Sequence, residues 1–124
     1  MARILAVDDN RDILDLIRRA AEADGHQVET ASTAAGFMVA YSRLDPEVVL
    51  LDVVMPGMDG IELIRWLVDI QSSARIIVMS GDLSGPYTEM AGALAKANGL
   101  QSVTLLPKPF RVKELCSAIR AHSY

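Results

Sequence analysis

Short apolar runs alternate along this chain with segments whose apolar residues fall at helical spacing, and that alternation constrains the fold more than any other feature. The runs are RILAV (3–7), QVETA (27–31), EVVLL (47–51), RIIVM (75–79) and SVTLL (102–106). Between the first two, Ile13, Leu16, Ile17, Ala20 and Ala21 lie on one face of a predicted helix that Gly25 stops. Ser32 or Thr33 caps a second helix reaching about Arg43, and Pro46 forbids its continuation. Helices are expected over 60–70, 85–99 and 111–122, the fourth with Pro86 near its first turn and Gly99 past its end. Val112, Leu115, Cys116 and Ile119 share one face of the last. QVETA alternates weakly and reads as an edge strand.

Strands that are apolar throughout, each followed by a helix, build a parallel sheet covered on both faces. Right-handed crossovers then give a doubly wound α/β domain. In such sheets the functional crevice lies outside the carboxyl ends of the strands, near the topological switch point. Those ends carry Asp8-Asp9, Asp52, Ser80 and Lys108-Pro109. Each has an ordinary explanation alone. Asp8, Asp9 and Asn10 are good helix caps, Asp59-Gly60 and Ser80-Gly81 are turn chemistry, and a lone lysine is a solvated charge. Three carboxylates, a hydroxyl and an ammonium meeting at one crevice are another matter. Clustered carboxylates repel, and a divalent cation relieves the repulsion. Mg²⁺ suits such a set, completed by a carbonyl, waters and a phosphate oxygen. A carboxylate beside Mg²⁺ can attack a phosphoryl group. That transfer needs mainly positioning and charge neutralisation, which Lys108 and Ser80 can supply.

Composition narrows the alternatives. At 124 residues the chain is expected to form one domain, 1–124, able to bury a core without staples. A net charge of −4 leaves no basic footprint for nucleic acid. No signal peptide and no apolar run of about 20 residues are present. The single Cys116 fits a reducing cytoplasm and packs on the apolar face of the last helix. His26 and His122 fall away from the crevice and read as surface residues. No glycine-rich phosphate loop follows the first strand, which argues against nucleotide binding.

The segments AVDDN (6–10), LLDVVMPGMDG (50–60), VMSGD (78–82) and LLPKPF (105–110) together make the chain resemble the receiver domain of two-component response regulators over essentially its whole length. The resemblance implies a flavodoxin-like (βα)5 fold with strand order 2-1-3-4-5. It implies that Asp52 accepts phosphate from a sensor histidine kinase or histidine phosphotransfer protein. Asp8 and Asp9 would bind Mg²⁺ with Asp52, Asp9 directly and Asp8 through water, and the Val54 carbonyl would complete the ligands. Ser80 would bond the phosphoryl oxygen, Lys108 would pair with the phosphoryl group, and the Lys108–Pro109 bond would be cis. The implied protein is a cytoplasmic switch rather than an enzyme. Its fourth helix, fifth strand and fifth helix, with Lys96, Lys113, Glu114 and Arg120, would engage an effector or output domain, with no direct contact to nucleic acid or membrane.

Some positions depart from the family pattern. Leu105 replaces the usual aromatic, so a relay must use Leu105, the loop after the fourth strand, or the fourth helix. The stretch from Ser80 to Lys108 is long, with Gly85 giving freedom to its loop. Val54 and Asp82 would have opposing effects on phosphate lifetime, and Gly81 leaves space for a donor. Leu105 also keeps open an interaction module that never takes phosphate. An aspartyl-phosphate hydrolase is disfavoured because the short loop after the first strand leaves no room for a cap. No output domain is recognised in the sequence, so the receiver either stands alone or belongs to a longer protein.

Overall fold

The first strand, β1 (Arg3–Val7), lies inside the sheet because it is hydrogen-bonded along both edges, to β2 (Gln27–Ala31) and to β3 (Val48–Asp52). The computed structural model describes residues 2–52, 54–55, 58–81, 93 and 103–120, without the side chains of 54–61. Beyond β3 come β6 (Arg75–Ser80) and β7 (Val103–Pro107), all parallel, in the order β2-β1-β3-β6-β7. Numbering these five strands along the chain gives the expected order 2-1-3-4-5. The register sets Leu5 beside Val49, Leu51 beside Val78, and Ser80 beside Pro107.

Alternation along the strands makes two cores. Leu5, Val7, Val49, Leu51, Ile76 and Val78 point to one face, where they meet α2 (Ala34–Leu44) and α3 (Gly60–Asp69). Ile4, Ala6, Val48, Leu50, Ile77 and Met79 point to the other, against α1 (Arg11–Ala23) and α4 (Val112–Arg120). The aliphatic core residues of β1 and β3 are all fully buried. On the α2–α3 face an aromatic cluster fills the wider gap: Trp66 stands edge-on to Phe37 and Tyr41, with centroids 5.9 and 5.3 Å away. The Tyr41 hydroxyl is hydrogen-bonded to Ser72 Oγ.

Several elements differ from the sequence reading in instructive ways. In α1 the residue that enters the core is Leu14, with Ile17, Ala20 and Ala21, while Leu16 stays exposed. A helix lying flat on a sheet buries a narrower stripe than its apolar residues span. Val112 is exposed for the same reason, whereas Leu115, Cys116 and Ile119 are buried. Thr33 is the cap of α2, its Oγ1 accepting from the Gly36 N–H at 3.0 Å. That helix ends at Asp45 in the left-handed region, one residue before Pro46. His26 is half-buried rather than superficial, its Nδ1 accepting from the Ala2 N–H at 2.9 Å. The segment read as a loop after Asp52 contains a small antiparallel pair, β4 (Val54–Met55) and β5 (Met58–Asp59). Of the helix expected over 85–99 only Ala93, which is helical, is among the described residues; Gly85, Lys96 and Gly99 lie outside them, as do Asp82 and His122.

Position 37 should therefore dominate the stability of α2, and position 39, two residues away and 64% exposed, should not. Phe37→Ala is expected to lower unfolding free energy by about 3–5 kcal/mol in urea titration, and Val39→Ala by less than about 0.5 kcal/mol.

Candidate functional site

The crevice is built from the ends of β1, β3, β6 and β7. Asn10 takes the capping role at α1: its side-chain oxygen accepts from the N–H groups of Asp12 and Ile13. This leaves Asp8 and Asp9 available for the pocket. Asp8 is fully buried, its Oδ1 accepting from the Asn10 N–H at 2.9 Å. Asp9 beside it is exposed.

Asp52 is the last residue of β3, paired with Met79, and is nearly as buried as the strand itself. The apolar run EVVLL (47–51) predicts a strand that stops one residue short of it. Instead, pairing with β6 continues through Asp52 and holds its carboxylate inside the crevice. Ser80 ends β6 and is also buried. Lys108 leaves β7 with its N–H donating to the Ser80 carbonyl at 2.8 Å. The Lys108–Pro109 peptide is cis, as the resemblance implied. The Val54 backbone lies in β4, two residues beyond Asp52. Among the described residues, a Cβ at Gly81 would meet nothing within 4 Å.

Two observations define the electrostatics. Carboxylate oxygens of Asp8, Asp9 and Asp52 all lie within 4.8 Å of one another. Into this cluster Lys108 sends its Nζ, 2.8 Å from Asp8 Oδ2 and 3.0 Å from Asp52 Oδ2. Burial pulls the lysine pKa down, but hydrogen bonds and charge from Asp8 and Asp52 together outweigh it, so it lies above its ordinary value. Among the described residues, one ammonium faces three carboxylates, a set of net negative charge. An all-oxygen donor set of that charge fits Mg²⁺, and the residues present can hold it.

The sequence pattern singled out Lys108 as a phosphate partner. Its bond to two aspartates at once was not foreseen, because the signal lies in how two distant strand ends meet. Leu105, in the family's aromatic position, is half-exposed on β7. No helix among the described residues is long and apolar enough to cross a membrane.

Comparison with known proteins agrees with this geometry. A family model for the response regulator receiver domain matches residues 4–120. The chain is 36% identical over 119 residues to response regulator MprA of Mycobacterium leprae, covering 96% of this chain and 50% of that protein. It is 29% identical over 120 residues to sporulation initiation phosphotransferase F of Bacillus subtilis, covering 97% and 92%. Among solved structures, the chemotaxis response regulator CheY4 of Vibrio cholerae superposes with a TM-score of 0.81 at 26% identity, covering 98% of each chain. The chain spans about half the length of the MprA relatives it matches.

Removing the Lys108 ammonium leaves two buried carboxylates facing each other. Lys108→Met is expected to lower stability by about 3 kcal/mol in urea titration with EDTA at pH 8. Because the folded-state pKa is raised, the lysine's contribution is complete below its ordinary value of 10.5 and is lost as pH climbs through the higher folded value. The gap between wild type and variant should therefore close at strongly alkaline pH.

Proposed function

The chain belongs to the response regulator receiver domain family, and on that premise we propose that it is a phosphorylation-dependent switch with Asp52 as phosphoacceptor. The observation that carries this reading is the Lys108 ammonium, shared between the buried Asp8 and Asp52 carboxylates. An Asp52 oxygen attacks the phosphorus of a phosphohistidine on a sensor histidine kinase or a histidine phosphotransfer protein. The phosphorus–nitrogen bond breaks, and the histidine nitrogen keeps the electron pair. Bound Mg²⁺ supplies charge neutralisation for the incoming oxygens.

The chain's own residues do the rest. Asp9, the exposed member of the cluster, offers a free face to the cation together with Asp52 and the Val54 carbonyl. Asp8 already spends both oxygens on the Asn10 N–H and Lys108, which suits contact through water. Lys108 would transfer its hydrogen bond from the Asp52 carboxylate to a phosphoryl oxygen, and Ser80 would donate its hydroxyl to another.

The protein acts on its own side chain and is read as a signalling component, not an enzyme that turns over substrate. Its output is a changed surface for an effector or output domain. The half-exposed Leu105, the exposed Val112 and the charged Lys113 and Glu114 belong to that surface; Arg120 is tied to Asp24 at 3.2 Å. The buried, unpaired Cys116 supports a cytoplasmic setting.

Intact mass spectrometry after incubation with Mg²⁺ and acetyl phosphate checks the reading. One phosphate should appear on the wild type and none on Asp52→Ala or with EDTA present. A wild type that gains none would favour the interaction module, and an equal gain on Asp52→Ala would place the chemistry elsewhere.

A further inference from the structure

The ligand edge of the sheet carries a second feature, opposite in charge to the acidic pocket. An open groove of about 500 Å³ runs between α1 and the end of β2, lined by Arg11, Leu14, Asp15, Arg18, Thr30 and Ser32. Arg11 and Arg18 are seven residues apart on α1, so they share a side of the helix about 10 Å apart along its axis. Arg18 Nη2 donates to Thr30 Oγ1 at 2.9 Å. That bond steadies the guanidinium over the groove and leaves the Thr30 hydroxyl hydrogen for another acceptor.

Acidic residues outnumber basic ones by 16 to 12 in this chain, and Arg3, Arg19, Arg43 and Arg120 each have a carboxylate partner. Among the described residues, neither Arg11 nor Arg18 has one. Arg65, Arg75 and Arg111 also lack one, but they do not line this groove. The wall's only carboxylate, Asp15, is engaged by Arg19 at 3.1 Å, which leaves the groove positive.

We propose that this groove binds a small molecule bearing a diphosphate. Two long arginine side chains that line one groove can converge on a ligand, and a diphosphate offers each guanidinium its own phosphate for a bidentate contact, which a lone carboxylate does not. The Thr30 and Ser32 hydroxyls add hydrogen bonds, and Leu14 gives an apolar floor for an uncharged remainder. The diphosphate can come from a nucleotide or from inorganic pyrophosphate.

Amide NMR of the full chain, titrated with sodium pyrophosphate in low salt and EDTA, tests the proposal without engaging metal chemistry. Saturable shifts are expected at Arg18, Thr30 and Ser32, weakening as salt is added. The double variant Arg11→Gln/Arg18→Gln should bind roughly tenfold or more weakly, as expected for lost charge-assisted bonds. Arg43→Gln, whose arginine is paired to Glu29 away from the groove, should bind as the wild type does. Absence of saturable shifts, or equal affinity in the double variant, overturns the proposal. Replacing pyrophosphate by ADP separates the sources: tighter binding with shifts reaching Leu14 assigns a nucleotide, and no gain assigns the inorganic anion.

Discussion

One ammonium shared by two buried carboxylates organises the working end of this molecule. Asp8, Asp52 and Lys108 come from the ends of three strands separated by up to 100 residues of chain. Asp8 has no access to solvent, so its charge must be met by protein groups. The Asn10 N–H and Lys108 meet it. Lys108 in turn is anchored by its own N–H on the Ser80 carbonyl, which ties the end of β7 to the end of β6. Through its ammonium and its backbone N–H, Lys108 therefore registers four strand ends against one another.

That arrangement also leaves the pocket incompletely neutralised. Among the described residues, with Asp9 added, three carboxylates face one ammonium, and Asp9 is the exposed member of the set, open to an entering cation. Structure and reactivity are linked through this imbalance. A complete internal match of charge would make a more stable crevice with nothing to offer a metal or a phosphoryl group. The rest of the domain supplies rigidity: apolar strands packed on both faces hold Asp52 and Ser80 as the last residues of paired strands rather than on loops.

Much of this was legible in the chain. The apolar runs located the five parallel strands, and the polar residues at their ends located the crevice, because both depend on local pattern and on the topology of wound sheets. Details set by tertiary packing were not legible. Leu14 and Leu16 are equally apolar, and only the seating of α1 on the sheet decides that the first is buried. Asp52 reads as a residue after a strand, yet cross-strand pairing with Met79 keeps it within β3. The short pair β4–β5 has two residues per strand, too few for any periodicity. The dual contact of Lys108, and the meeting of Arg18 with Thr30 across the groove, depend on which distant side chains meet, and no spacing in the sequence encodes that.

The most direct measurement is a crystal structure of the protein with Mg²⁺ and beryllofluoride, a mimic of the phosphoryl group. The account predicts the fluoroberyllate on an Asp52 oxygen, the cation between Asp9 and Asp52, and the Lys108 ammonium turned onto a fluorine while still holding Asp8. A cation and fluoroberyllate bound away from Asp52, with Lys108 unmoved between the two aspartates, would contradict it.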